Sequence, residues 1–166
     1  ADQYSIRVIR LNKASDLMPE GMREISGLKQ LYDLNLSRSN VDDQGILQLT
    51  DLPQLRTLNL SETSITDACL KSIGRFEKLR NLDLSKTKLS GSGLGDLNGC
   101  KKLTELNLSG TSLRPNHLNL LKEFTNLIKL DVSNTYVTDQ DLGDLRQALK
   151  YCAIITQPEQ VTGKGK

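Results

Sequence analysis

Few of the 166 residues are of the types that carry chemistry, and those few are poorly placed for it. His117 is the single histidine. A zinc site draws on several His, Cys or carboxylate ligands at short spacing, and a histidine base needs a partner; neither can be assembled around His117, which is expected on the solvated surface. Cys69, Cys100 and Cys152 are odd in number, far apart and without a CxxC pair, so free thiols are expected. Cys100 falls in an apolar column and should be a core residue, whereas Cys69 falls in a polar one and should be the most accessible thiol. The serines Ser37, Ser61, Ser85, Ser109 and Ser133 recur at one repeated position, where a catalytic serine would be singular; repetition points to the satisfaction of backbone groups in a turn. The stretch "GSGLGDLNG" from Gly91 has a GxGxG form, and the chain ends in "GKGK". Leu94 and Leu97 keep the repeat register through the first, which reads as a permissive convex turn, and the terminal run lacks the reach from its first Gly, the following Ser or Thr and the helix that a phosphate loop needs. No catalytic group, cofactor or metal is expected, and the chain reads as non-enzymatic.

Composition narrows the classes further. Lys and Arg number 22 against 20 Asp and Glu, a formal net charge of +2. A dedicated nucleic-acid binder needs a clustered positive excess to displace counterions, so none is expected. No apolar run approaches the roughly 20 residues that span a bilayer, so no membrane insertion is expected. Leucines number 31, while the aromatics are four Tyr and two Phe with no Trp, so the core must be leucine. The compartment stays open, with the cytoplasm slightly favoured; the start at Ala1 without Met reads as trimming or processing and is compatible with a removed signal segment.

The elements that must position these residues emerge when the chain is laid against itself at a shift of 24. Five segments align without a gap: "LYDLNLSRSNV" from Leu31, "LRTLNLSETSI" from Leu55, "LRNLDLSKTKL" from Leu79, "LTELNLSGTSL" from Leu103 and "LIKLDVSNTYV" from Leu127. The first half of each unit alternates apolar residues at a period of two, as Leu58 and Leu60 do, which is a short half-buried strand. The second half spaces them by three to four, as in Ile46 and Leu49 or Leu70 and Ile73, which is one or two helical turns. Asp42, Thr66, Ser90 and Thr138 stand where an N-cap is needed, and the fourth unit has Arg114 followed by Pro115, favoured at the first helical position. A closing apolar column runs Leu28, Leu52, Phe76, Cys100, Phe124 and Ala148. One unit cannot bury its leucines alone, so units must stack.

The shared form LxxLxLSx(T/S)x(V/I/L) resembles the leucine-rich repeat, whose core is L-x-x-L-x-L-x-x-N/C-x-L. The variant it is most similar to is the short LxxLxLSxTxITDxGLxxLxxL type, akin to bacterial leucine-rich repeats and to the cysteine-containing repeats of F-box proteins. At the ninth position the usual Asn or Cys is replaced by Ser39, Thr63, Thr87, Thr111 and Thr135, whose hydroxyls can serve the backbone in the same turn. The fold class implied is α/β: a leucine-rich-repeat solenoid, a curved right-handed β-α superhelix with a parallel concave sheet and convex helices. Residues 1–156 are expected as one domain, with an imperfect first repeat at 5–27, five 24-residue repeats over 28–150, a capping strand at 151–156 and a flexible tail at 157–166. In the first unit the strand "IRVIRL" needs one extra residue to keep register. Tyr151 and Ile154 continue the columns of Leu127 and Leu130, and both ends read as closed. Seven strands give a sheet about 30 Å across, room for about 800 Å² of interface per partner.

Function should then be written in the columns the concave sheet displays. The fifth position reads Arg10, Asn35, Asn59, Asp83, Asn107 and Asp131, an amide and carboxylate ladder that either meets a partner or merely solvates the sheet. The second reads Arg7, Tyr32, Arg56, Arg80, Thr104 and Ile128; Tyr and Arg dominate interface hot spots, so this stripe is expected to face a partner. The ordinary alternative is exposed ion pairing of Arg56 and Arg80 with Glu62, Glu105 or Asp83. Ile128 and Tyr136 add apolar area toward the C-terminal end, unless the tail packs over them. The expected function is a non-catalytic protein–protein interaction module whose protein partner binds the concave sheet. Two alternatives stay open: a structural subunit of a larger assembly, or a regulatory or substrate-receptor module of an enzyme complex, although no F-box-like helical segment precedes Ile6.

Overall fold

The computed structural model describes residues 6–16 and 19–156. Seven three-residue strands form one all-parallel sheet in chain order: β1 (Val8–Arg10), β2 (Asp33–Asn35), β3 (Thr57–Asn59), β4 (Asn81–Asp83), β5 (Glu105–Asn107), β6 (Lys129–Asp131) and β7 (Ala153–Ile155). Leu34, Leu58, Leu82, Leu106, Leu130 and Ile154 are register partners from strand to strand, so the 24-residue spacing is the sheet register. Between β1 and β2 the partners are Val8 and Asp33, which places the one extra residue in the first unit. Each strand sends its middle residue into the core and its two flanking residues to the opposite face, as the pleat requires.

The strands stop after three residues because the chain turns in a fixed way. Lys13, Arg38, Glu62, Lys86 and Asn134 adopt left-handed φ values of 53 to 65°, and Gly110 takes 68° at the equivalent place. The turn is then closed by the next hydroxyl. Ser39, Thr63, Thr87, Thr111 and Thr135 each donate to the carbonyl three residues back, at 2.6–2.7 Å. This is the backbone service expected of the ninth-position hydroxyls. The ladder continues past both strand ends: Arg56 N and, from the first strand residue, Thr57 N share the Tyr32 carbonyl at 2.8 and 2.9 Å, and Glu62 N donates to Ser85 O at 2.9 Å.

The convex side carries short helices α1 (Pro19–Ser26), α2 (Asp43–Leu47), α3 (Leu70–Ile73) and α4 (Gly143–Ala148), with 3-10 turns at Asp67–Cys69, Leu94–Gly99, Pro115–Leu121 and Asp139–Leu142. Asp42 caps α2 by accepting from Gly45 N at 3.0 Å, Thr66 accepts from Ala68 N at 3.2 Å, and Arg114 stands before Pro115. Ser90 is displaced from the cap position, since the second 3-10 segment begins only at Leu94; its hydroxyl accepts from Ser92 N at 3.3 Å instead. Carboxylates staple neighbouring units. Asp43 accepts from Thr66 N at 2.8 Å and its hydroxyl at 2.6 Å, and Asp67 accepts from Ser90, Gly91 and Gly93 N–H groups at 2.7–3.0 Å.

The core is one continuous cluster of buried leucines running from unit to unit, with Phe76 and Phe124 in the closing column. Three sequence expectations need correction here. Cys69 is fully buried, not accessible: its thiol donates to Thr66 O at 3.3 Å, and burial, with Asp43 nearby, pushes its pKa up. Ala148 is exposed and Leu149 takes its place in the core, because the last unit winds an α-helical segment that reaches the core one residue later. Tyr151 keeps the register of Leu127 but is 93% exposed, whereas Ile154 is half-buried beside Leu130. The expected tail at 157–166 and the start of the first repeat lie outside the described residues.

Candidate functional site

The sheet face opposite the core forms a shallow groove enclosing about 240 Å³, lined across β3 to β6 by Thr57, Asn59, Asn81, Asp83, Glu105, Asn107, Lys129 and Asp131 above the backbone of Leu58, Leu82 and Leu106. These side chains come from the third and fifth positions of the repeat. Of the fifth-position ladder, Asn59, Asp83, Asn107 and Asp131 are brought together in the groove while Arg10 and Asn35 lie outside its lining, and one polar atom of each amide or carboxylate is engaged locally. Asn35, Asn59, Asp83, Asn107 and Asp131 each accept the N–H of the serine two residues on, at 2.9–3.0 Å, an Asx turn that leads the chain out of the strand. One further polar atom per side chain is left to face the groove.

The third position, Asp33, Thr57, Asn81, Glu105 and Lys129, was not singled out from the sequence. The signal was present: in an alternating strand, positions three and five flank the core leucine and must share the other face. Asp33 pairs with Arg10 at 3.2 Å. Among the described residues, the side chains of Thr57, Asn81, Glu105 and Lys129 have no hydrogen-bond or ion-pair partner, so the groove floor offers free donors, acceptors and both charges.

The second-position stripe lies elsewhere than the floor. Tyr32, Arg56, Arg80 and Ile128 precede the first strand residue of their units and so form a leading rim, where the chain approaches the sheet. Tyr32 is 40% and Ile128 63% exposed. Arg56 and Arg80 do not pair with the carboxylates considered for them: Glu62 is taken by Arg38 at 3.0 Å and Lys86 at 3.4 Å, and Arg38, with Lys86, holds its carboxyl below the ordinary value. At the leading rim Arg7, Gln30, Tyr32, Gln54 and Arg56 enclose a second cleft of about 260 Å³. Tyr136 is 58% exposed and follows β6 rather than preceding it, so it stands apart from Ile128; the Arg114 guanidinium lies 4.7 Å from its ring centroid. Packing of the tail over either residue falls outside the described residues.

His117 is half-buried, not surface-solvated as expected. Its Nδ1 lies 3.0 Å from the Ser90 carbonyl, packed beside Gly91. Gly91 is where the Asp43 and Asp67 column loses its carboxylate, and the imidazole makes an inter-unit contact there instead. Burial also pushes the Cys100 thiol up to about 12, which leaves Cys152, half-buried, as the least enclosed of three free cysteines. Among the described residues no group of three or more His, Cys, Asp or Glu could hold a metal, and no helix is long and apolar enough to cross a membrane.

Residues 53–113 match the family model described as leucine rich repeat. A leucine-rich-repeat protein of Leptospira interrogans has a similar solved structure, with a TM-score of 0.60 and 24% sequence identity over 79% of this chain. This chain spans 38% of the length of that one. No curated protein matches in sequence.

Proposed function

The chain is a leucine-rich-repeat solenoid, and from that premise we propose that it is a non-catalytic module that binds a protein partner across its concave sheet. The observation that carries this reading is the groove floor: side chains of four consecutive strands in strict register, with Thr57, Asn81, Glu105 and Lys129 left without internal partners. Small-molecule sites are mostly apolar and about 300–1,000 Å³ in volume. This groove is polar, open and about 240 Å³, which suits an extended surface better than an enclosed ligand. The strands are pinned by backbone ladders, so little ordering entropy is lost when a partner lands on them.

The test places two bulky cations in the centre of the floor, Asn81→Arg with Glu105→Arg. Glu105 is exposed and Asn81 half-buried, and neither side chain has an internal partner, so the thermal midpoint should move little. Proteins co-purifying from the source cell with the unaltered chain should be lost with this variant and kept with Lys71→Glu on convex helix α3. Equal recovery by all three proteins would sink the concave site.

A further inference from the structure

We propose that the leading rim of the sheet receives an acidic, extended protein segment, whose carboxylates are taken by Arg7, Arg56 and Arg80 on either side of Tyr32. The inference deepens the concave-sheet reading and rests on it for the class of partner. It starts from the nine arginines of the chain. Arg10, Arg38 and Arg146 meet carboxylates, Arg23 meets the Gln48 amide, and Arg114 lies over the Tyr136 ring. Among the described residues, the side chains of Arg7, Arg56, Arg75 and Arg80 have no partner, and three of these four stand in the second-position column. Neighbouring parallel strands are about 4.8 Å apart, so Arg56 and Arg80 are held side by side as like charges, an arrangement that is unfavourable without a counter-charge.

The surroundings are built of donors. The cleft beside Tyr32 is lined by Arg7, Arg56, Gln30 and Gln54 and by no carboxylate. Gln54 Oε1 accepts from Lys78 Nζ at 2.8 Å, which occupies the amide oxygen and leaves its NH₂ to donate elsewhere, while Lys78 adds another cation. From β1 to β4 the positions that carry the three arginines span about 15 Å; an extended segment presents a side chain to the same face every ~7 Å, so two or three carboxylates come within their reach. Arg binds carboxylates with two parallel N–H bonds, and Tyr32, 40% exposed, supplies a flat apolar contact between them. A continuous phosphate backbone fits less well. The adjoining floor carries Asp33, Asp83, Glu105 and Asp131, which would repel every phosphate that strayed inward, whereas a peptide can confine its carboxylates to the rim.

Fluorescein-labelled octaglutamate is the probe, with octaglutamine and single-stranded octathymidylate as comparisons, read by anisotropy on the whole chain. Octaglutamate should bind and weaken with added salt, and Arg56→Glu with Arg80→Glu should weaken it by on the order of tenfold. Lys71→Glu with Lys88→Glu changes net charge equally away from the rim and should leave binding within about twofold. Equal losses in the two double variants, or octaglutamate binding no better than octaglutamine, would overturn the rim assignment. Tighter binding of octathymidylate would overturn the occupant in favour of nucleic acid. If octaglutamate ignores the rim while partner recovery still falls with the floor variant, the rim assignment fails and the concave reading stands; recovery that ignores the floor variant sinks the concave reading whatever octaglutamate does.

Discussion

The hydroxyl of Thr87 reaches the Leu84 carbonyl at 2.7 Å inside a buried turn, so its removal leaves a carbonyl short of its main donor rather than a contact short of area. Thr87→Val keeps the shape and loses the bond, and should destabilise the fold by about 1 kcal/mol, while Thr87→Ser should recover most of that. Chemical denaturation of the two variants would check it; equal midpoints would show that the column is not structural. Asn59 divides its roles differently. Its Oδ1 accepts from the N–H and hydroxyl of Ser61 at 2.9 and 2.8 Å, so Asn59→Ala should cost about 1 kcal/mol, whereas Asn59→Asp keeps the acceptor, as Asp83 already does one unit later, and should fold normally. Thiol reactivity follows enclosure. Iodoacetamide should modify Cys152 first, with Cys69 and Cys100 reacting only as the chain unfolds; mass spectrometry showing early Cys69 labelling would contradict its burial.

Between neighbouring units, Asp67 is the strongest staple. Burial works against its charge, but the N–H groups of Gly93, Ser90 and Gly91 and the Ser90 hydroxyl outweigh it and hold the carboxyl below its ordinary value. A carboxyl depressed on folding contributes stability that is present above its unfolded pKa of 3.8 and is lost as pH falls through the lower folded value. Stability should therefore decline on acidification below about pH 4, and Asp67→Asn should flatten that decline while lowering stability at neutral pH by about 1–3 kcal/mol, since it loses bonds to a charged acceptor. Denaturant titrations at pH 7 and pH 3 would separate the two effects. Legibility in the sequence also divides at this scale. Strands, register and the 25-residue first step followed from apolar columns, because burying leucine on a fixed pitch admits one stacking. Cys69, His117 and Ala148 were misplaced because the convex segments mix 3-10 and α turns, and a change of helical pitch moves a residue between core and surface with no change in its spacing. Arg56 shares parity with Leu58 and yet is exposed, since it lies before the strand begins, where alternation no longer applies.

The molecule as a whole is a one-dimensional stack in which each strand hydrogen-bonds only to its two neighbours. Its stability is then a sum of units and interfaces, and opening should begin where an interface is missing. β4 has neighbours on both sides and its Leu82 is 2% exposed, whereas among the described residues β1 and β7 each pair on one side and carry half-buried or exposed residues only. Amide exchange should be slowest across β3 to β5 and fastest in β1 and β7. Leu82→Ala removes core packing at the centre, at a cost of about 2–5 kcal/mol. Because that loss falls on two interfaces at once, exchange at β3, β4 and β5 should accelerate together while the outer strands, already opening on their own, change least. A uniform acceleration from β1 to β7 would mean that the stack unfolds as a single cooperative block. In that case the rim and floor would be coupled through the global equilibrium, and any substitution on the sheet would have to be corrected for stability before it was read as binding.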